Sequence, residues 1–518
     1  MRTWLMGIAS LAERRPTHLR MRHPYSPYPG WTTTDPWSLT MQEELQLLDA
    51  TAQAALVTKG EVTPLELVDA AIARIERFDP AINAVISRQF EQARERARGS
   101  LPDGPFRGVP FLLKDLAGGA ERGMPLTYGC RLGAGNLASH DTALVERYRA
   151  AGLVFVGRSS TSEFGIMPTS EPALFGPCRN PWSPAHSTGG SSGGAAAAVA
   201  ARLVPFAHAS DIGGSIRIPA SACGVFGLKP SRGRNPVGPL VGEGTGGLPA
   251  EHCVSISVRD SAALLDATSA PDFGAPYVAP FKSRPYLEEI DAPHRRLRIG
   301  VMRAPLSGLP VHPDCMAALE SAARLCRELG HEVVDECPTV SDFSAASEAF
   351  VRIFVVSAAL HLRALEAAVG RAAGPDDIEP LTRALVDMAG QVSGTDYVLA
   401  QRALQRMSRE VAAFFDDHDL VLGPTMAQPP AAIGHFTLGA REPVEALFAR
   451  GMPYGTFTSV FNATGQPAMS VPLHWNDEGL PIGVQFAARM GDEGTLFHLA
   501  AELERARPWA SRLPPLIR

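Results

Sequence analysis

The chain has few features of a secreted, membrane-spanning or nucleic-acid-binding protein. Its seven cysteines are scattered and odd in number, with no C-x-x-C pair, so a disulfide framework is not expected and a reducing, cytoplasmic compartment fits best. No stretch approaches the roughly 20 apolar residues of a membrane span; the longest, Ile353 to Leu360, fits a buried amphipathic helix. The net charge of −6 comes without basic clusters, which disfavours nucleic acid and anionic membranes as partners.

The N-terminal 40 residues show no regular pattern. Arg2 followed by Trp4 to Ala12 resembles a weak signal peptide, but the apolar run is short and the cleavage site is poor. An irregular extension over residues 1–40 is therefore predicted, with a wrongly assigned start codon as an alternative. The folded domain is predicted over 41–510, followed by a tail over 511–518.

The rest of the chain alternates strand-like and helix-like patterns. Thr63-Pro64-Leu65-Glu66 has the form of a capping box and predicts a helix that stops before Asp79-Pro80. Leu297–Met302, a helix over Asp314–Leu329 and Glu332–Asp335 form a strand-helix-strand unit typical of parallel sheets. We therefore predict one large α/β domain, with a mixed, mostly parallel sheet of about ten or more strands covered by helices on both faces.

Two glycine-serine segments lie between apolar strands and an alanine-rich helix. They are Gly189–Gly194 (Gly-Gly-Ser-Ser-Gly-Gly) and Asp211–Arg217 (Asp-Ile-Gly-Gly-Ser-Ile-Arg). Flexible turns are one interpretation, because glycine and serine are turn residues. The tight apolar flanks argue against a linker and favour close backbone approach or unusual dihedral angles. Neither segment matches a phosphate-binding loop or a dinucleotide fingerprint.

The first segment also satisfies Gly-x-Ser-x-Gly, the nucleophile elbow of α/β-hydrolases, with Ser191 at its centre. That hypothesis requires an acid and a histidine further along the chain. The candidates are Asp416 or Asp419 with His435, His474 or His498. Because the pattern is short and common, it carries little weight without those partners.

A second serine, Ser215, follows Ser191 by 24 residues (215 − 191). The stretch from Ile212 to Ser215 offers successive backbone N–H groups of the kind that stabilise an oxyanion. Lysine is the base in Ser-Lys variants of the catalytic triad, and Lys114 ends an apolar strand-like run where burial would lower its pKa. A lysine at a strand end is also commonly just exposed, so the residues alone leave both interpretations open.

Taken together, these segments resemble the amidase signature family. The resemblance spans about Leu45 to Glu504, with a signature core over about 105–235. The other matching segments are Leu113-Lys114-Asp115, Pro219-Ala220, Cys223-Gly224, Gly465–Ala468 and Gly479–Gln485.

The resemblance implies a Ser-cisSer-Lys mechanism that needs no cofactor or metal. Ser215 would attack the carbonyl carbon and form an acyl-enzyme. Ser191, entered through a cis peptide from Gly190, would pass the proton to a neutral Lys114, so activity should rise toward alkaline pH. The resemblance also implies an oxyanion hole and residues that hold the loops: the backbone N–H groups of Ile212, Gly213, Gly214 and Ser215, and the side chains of Ser192, Asp211 and Arg217.

Within the family, the chain is most similar to bacterial nylon-oligomer (aminohexanoate cyclic-dimer) hydrolases and related aryl acylamidases and urethanases. The similarity lies in segments such as Asp49–Val57 and Val204–His208. It implies a small-molecule substrate, namely a neutral, fairly apolar amide, anilide or carbamate. Tyr128, Phe175 and the stretch from Ala440 to Phe457 are expected to line the pocket entrance.

Two other functions stay open from the sequence. The chain could be the glutaminase (A) subunit of a tRNA-dependent amidotransferase, although its non-basic composition argues against this. It could also be a catalytically silent binding protein, although Lys114, Ser191 and Ser215 are all present. A homodimer is compatible with the sequence but not required by it.

Overall fold

The computed structural model describes residues 44–436 and 442–518, so the predicted N-terminal extension and signal segment lie outside the described residues. Strands are labelled in chain order. They are β1 Val85–Arg88, β2 Pro110–Lys114, β3 Val154–Ser159, β4 Arg179–Asn180, β5 Ser183–Ser187, β6 Phe206–Asp211, β7 Phe226–Lys229, β8 Ala250–Ser255, β9 Arg298–Val301, β10 Glu332–Val334, β11 Leu420–Pro424, β12 Ala468–Trp475 and β13 Pro481–Ala488.

The helices of four or more residues are labelled in the same way. They are α1 Ala50–Thr58, α2 Pro64–Ile82, α3 Phe90–Arg98, α4 Ala143–Ala150, α5 Gly193–Ala200, α6 Arg217–Cys223, α7 Val258–Thr268, α8 Tyr286–Ile290, α9 Pro313–Glu328, α10 Phe343–Val369, α11 Pro380–Ala389, α12 Gly394–Ala413, α13 Pro443–Ala446, α14 Met452–Gly455, α15 Ser459–Thr464 and α16 Glu493–Ala506. A π-helical turn, Leu447–Gly451, joins α13 to α14.

The main sheet has 11 strands in the order β1-β3-β2-β6-β8-β7-β12-β13-β11-β9-β10. It is mixed, as the sequence predicts. Parallel pairs join β3 to β2, β2 to β6, β11 to β9 and β9 to β10. The strands between these groups pair antiparallel, so antiparallel pairing has a larger share than the sequence suggested. The single large α/β domain is confirmed.

Local signals in the sequence explain several of these elements. The Thr63 side chain accepts the Glu66 N–H while the Glu66 carboxylate accepts the Thr63 N–H, which is the predicted capping box. The helix does not stop before Asp79-Pro80, however, and continues to Ile82. The Asp79 carboxylate accepts the backbone N–H groups of Ala84 and Val85. Asp79 therefore lies inside the last turn of the helix and holds the chain that follows it.

The predicted strand-helix-strand unit is present as β9, α9 and the parallel strand β10. The apolar run from Ile353 to Leu360 lies within α10. Among the described helices, α10 alone is long and apolar enough to cross a membrane by length and composition. A helix in the core of a globular protein meets the same criterion, and α10 packs against α11 and α12.

Candidate active site

Lys114 is the last residue of β2, a central strand in which every residue is buried. Its side chain is 0% exposed. The Nζ atom lies 2.8 Å from Ser191 Oγ, 2.8 Å from Ser192 Oγ and 2.9 Å from Ser210 Oγ. Burial lowers the pKa of Lys114 to about 7, against the opposing effect of two carboxylates. The lysine is therefore a buried amine that is substantially neutral near pH 7.

The loop that carries Ser191 lies tightly against its surroundings. The Gly190–Ser191 peptide is cis, as the family resemblance implies. A Cβ atom at Gly190 would lie 2.2 Å from the Thr169 carbonyl oxygen, so only glycine fits there. The Ser170 hydroxyl donates to the Ser191 carbonyl at 3.2 Å and accepts the Gly193 N–H at 3.0 Å. These contacts hold the Ser191 side chain against Lys114.

The two candidate serines differ in access. Ser191 is only 2% exposed, whereas Ser215 is half-buried and lies on the wall of a cavity. The Ser192 N–H donates to the Ser215 carbonyl at 3.2 Å, which joins the two glycine-serine segments. Ser215 is thus the serine that is open to the cavity, whereas the hydroxyl of Ser191 contacts Lys114.

The nucleophile-elbow hypothesis finds no support in the arrangement of its partners. The His498 Nδ1 atom pairs with the Glu289 carbonyl, and the His435 ring packs on Phe436. Asp419 accepts the Arg298 N–H. Within the described residues, no histidine hydrogen-bonds to Ser191, whose hydroxyl instead contacts Lys114.

Asp211 and Arg217 form a buried ion pair at the base of the Ser215 loop. The Arg217 Nε and Nη2 atoms donate to the two Asp211 carboxylate oxygens at 3.0 and 2.9 Å, and both side chains are 0% exposed. Arg217 also donates to the Thr458 carbonyl and to Gln485 and Asn462. Burial alone would raise the pKa of Asp211, but the Arg217 charge and its hydrogen bonds outweigh it and lower that pKa to about 2.

The predicted oxyanion hole needs one correction. The Gly214 N–H donates to Asp211 Oδ1 at 2.7 Å, so this group is occupied in holding the loop. The described hydrogen bonds leave the N–H groups of Ile212, Gly213 and Ser215 without a protein partner, and these three residues line the cavity. Three donors, rather than four, are therefore available to a developing oxyanion.

Arg217→Met is expected to lower the free energy of unfolding by about 3–5 kcal/mol, because it leaves the buried Asp211 carboxylate without its ion-pair partner. Chemical denaturation measures the loss. The control is Arg352→Met, which breaks an exposed ion pair to Glu348 and should change stability by about 0.5 kcal/mol or less. A loss below about 1 kcal/mol for Arg217→Met would show that the pair does not hold the loop.

The cavity beside Ser215 is apolar. Helices α10, α12, α14 and α15 and the π-helical turn form much of its wall. Representative side chains are Ile212, Phe350, Phe354, Leu447, Met452 and Val460. None of the described residues on this wall carries a formal charge. The cavity therefore suits an uncharged molecule whose reacting carbonyl group reaches Ser215.

The pocket residues expected from the sequence are only partly placed at this cavity. From the stretch Ala440–Phe457, Leu447 to Thr456 contribute to the wall, while residues 440 and 441 lie outside the described residues. Tyr128 and Phe175 are not on the described wall. The Tyr128 ring packs on Phe164 at 5.8 Å, and the Phe175 carbonyl accepts the Asn83 side-chain amide.

Comparisons with known proteins agree with this geometry. The family model described as Amidase matches residues 66–497. The chain belongs to the amidase signature family. It is accordingly an amidohydrolase that acts on C–N bonds other than peptide bonds.

Individual relatives of the amidase are similar over nearly their whole length. A 6-aminohexanoate-cyclic-dimer hydrolase from Pseudomonas sp. strain NK87 is 40% identical over 90% of this chain and 97% of the relative. A solved structure of 6-aminohexanoate cyclic dimer hydrolase complexed with substrate superposes with a TM-score of 0.88 at 39% identity, covering 91% of this chain and 100% of that one. A bacterial aryl acylamidase structure gives a TM-score of 0.80 at 26% identity, covering 90% and 99% of the two chains.

One group of residues in the described part of the amidase has the composition of a metal site: His294, His331 and Glu502. His331 Nε2 lies 3.1 Å from Glu502 Oε2, and His331 Nδ1 accepts the Leu297 N–H. Because a backbone N–H can only donate, the His331 proton is on Nε2 and points at the carboxylate. The group is therefore organised as a hydrogen-bonded cluster.

Two residues that contact Lys114 directly were not predicted from the sequence. Ser210 meets the Nζ atom, and His208 accepts the Lys114 backbone N–H at 3.2 Å. Both lie on β6, next to β2, and two residues apart, so they share one face of the strand. The sequence did carry a signal for them: two polar side chains lie two residues apart in a buried strand, directly before Asp211.

Proposed function

We propose that the amidase hydrolyses a neutral, apolar amide, anilide or carbamate through an acyl-enzyme on Ser215, with Ser191 as proton relay and Lys114 as base. The observation that carries this proposal is the uncharged cavity that ends at Ser215, next to the loop in which Ser191 contacts a buried amine. The cavity selects an uncharged acyl group, and the amine supplies a base at neutral pH.

In the first half-reaction, neutral Lys114 accepts the Ser191 proton while Ser191 accepts the proton of Ser215. The Ser215 Oγ atom attacks the carbonyl carbon. The N–H groups of Ile212, Gly213 and Ser215 stabilise the negative charge that develops on the carbonyl oxygen. The C–N bond then breaks, and the leaving amine takes the proton back through the same relay. In the second half-reaction, water attacks the acyl carbon and gives a proton to the relay. The bond between the acyl carbon and Ser215 Oγ then breaks, Ser215 takes that proton, and the acid is released.

The relatives suggest a substrate that fits such a cavity. The 6-aminohexanoate cyclic dimer is a cyclic diamide without free termini, so it carries no charge. The linear dimer contains the same kind of amide bond but has an ammonium and a carboxylate. Placing those charged groups in a cavity without counter-charges would cost several kcal/mol. The two dimers share the same kind of amide bond and differ in charge, so comparing them tests whether the cavity selects uncharged molecules.

We expect kcat/KM for the cyclic dimer to exceed that for the linear dimer by about 100-fold or more. Steady-state hydrolysis by the purified chain measures both, alongside a neutral anilide, a carbamate and glutamine. Comparable rates on the two dimers would contradict selection by an uncharged cavity. Preferential hydrolysis of glutamine would instead support the glutaminase-subunit alternative, and absence of all hydrolysis would overturn the proposal.

A further inference from the structure

His208 connects the backbone of Lys114 to a carboxylate on the neighbouring strand. Its side chain is 0% exposed. The Nδ1 atom accepts the Lys114 N–H at 3.2 Å, and the Nε2 atom lies 2.9 Å from Glu251 Oε2. Because the backbone N–H can only donate, Nδ1 must be unprotonated and Nε2 must carry the proton that points at Glu251. The carboxylate thus fixes the ring in the tautomer that holds the end of β2.

Other charged groups also face the end of β2. Arg158 on β3 donates to the carbonyl oxygen of Lys114 at 3.3 Å. Asp211 on β6 pairs with Arg217 and, like Glu251, still acts to raise the pKa of Lys114. Asp115 accepts hydrogen bonds from Thr127 and Gly129.

Glu251 differs from Asp211 in its partner. Its carboxylate on β8 faces an imidazole whose proton positions leave it neutral, rather than an arginine. Its negative charge is therefore not cancelled locally and acts on the buried amine of Lys114.

We propose that Glu251, acting through His208, is a positioning residue for Lys114 in amide hydrolysis. This inference rests on the proposed role of Lys114 as base. The hydrogen-bonded chain keeps the end of β2 in register, so that Nζ stays between Ser191, Ser192 and Ser210. The charge of Glu251 opposes the effect of burial on the Lys114 pKa and so keeps the amine a strong enough base.

The test is the pH profile of kcat/KM on the cyclic dimer for Glu251→Gln. The wild-type profile should rise through an acidic limb, which is the part controlled by deprotonation of Lys114. Gln keeps the size of Glu and an oxygen for the His208 proton, but it removes the charge. We expect the limb to move to lower pH by roughly 0.5 unit or more, kcat on the plateau to fall, and KM to stay unchanged because Glu251 is not on the described cavity wall.

A second variant separates charge from geometry. Glu251→Asp keeps the charge and shortens the side chain, so it should lower kcat while the limb stays at its wild-type position. The matched control is Glu502→Gln, since Glu502, like Glu251, is a carboxylate that faces a buried histidine. Glu502 is not among the carboxylates that act on Lys114. The control should leave the limb in place.

The outcomes distinguish this inference from the proposed function. If Lys114→Met retains activity and the acidic limb, the base assignment fails and the inference fails with it. If Lys114→Met is inactive but both Glu251 variants keep the wild-type limb and kcat, only the positioning role is overturned. A limb that moves in Glu251→Gln but stays in Glu251→Asp and Glu502→Gln is the expected result.

Discussion

Ser215→Ala is expected to lower kcat by about 10⁴-fold or more and to abolish acyl-enzyme formation. Ser215 is the serine that faces the apolar cavity, and its removal leaves only binding and the oxyanion donors to assist attack by water. Steady-state hydrolysis of the cyclic dimer measures kcat. Mass spectrometry after treatment with a fluorophosphonate, which transfers its phosphoryl group to a nucleophilic serine, identifies the reactive residue.

The control for this prediction is Ser347→Ala, because Ser347 presents a hydroxyl to the same cavity from α10. It should change kcat by no more than about twofold. Labelling of Ser191 instead of Ser215, or activity retained by Ser215→Ala, would mean that Ser215 is not the nucleophile and would favour Ser191 in that role. Such a result would return the nucleophile-elbow hypothesis to consideration.

Lys114→Met is expected to lower kcat/KM at pH 8 by about 10³-fold, the contribution of a general base. The side chain is fully buried, and no other described basic side-chain nitrogen contacts Ser191. In the wild type, the pKa of about 7 means that activity rises with pH through neutrality and levels off above it. The sign follows from the chemistry, since only the neutral amine accepts a proton.

The pH profile of a second buried lysine variant tests this assignment. Lys229 is also almost fully buried, and burial lowers its pKa to about 7. Its Nζ atom donates to the Pro230 carbonyl and does not contact the serines. Lys229→Met should therefore keep the acidic limb that Lys114→Met loses. If the limb disappears in Lys229→Met and not in Lys114→Met, the titration belongs to Lys229 and the assignment of Lys114 as base is wrong.

The sequence was sufficient for the parts of the site that are continuous along the chain. The two glycine-serine segments and their spacing pointed to Ser191 and Ser215, and the capping box marked the start of α2. The sequence could not decide whether Lys114 was buried or exposed. That depended on β2 lying between β3 and β6 in the middle of the sheet, which is a tertiary property.

The parts that could not be predicted depend on contacts between distant segments. Glu251 comes opposite Ser210 only because β8 pairs antiparallel with β6. The Gly214 N–H was expected to be free for the oxyanion, but the fold of the loop places it in a hydrogen bond to the Asp211 carboxylate. Phe175 was expected at the pocket entrance, but it is not on the described cavity wall, and its carbonyl accepts the side-chain amide of Asn83.

The chain separates the residues proposed to react from those that form most of the cavity wall. Lys114, Ser191 and Ser215 belong to the N-terminal half, whereas α10 and the segment from Leu447 to Ala463 supply much of the wall. Directed evolution toward different amide or carbamate substrates can therefore concentrate diversity after residue 340 while leaving β2, β6 and their loops untouched. A library built in this way samples new acyl groups without altering the reacting groups.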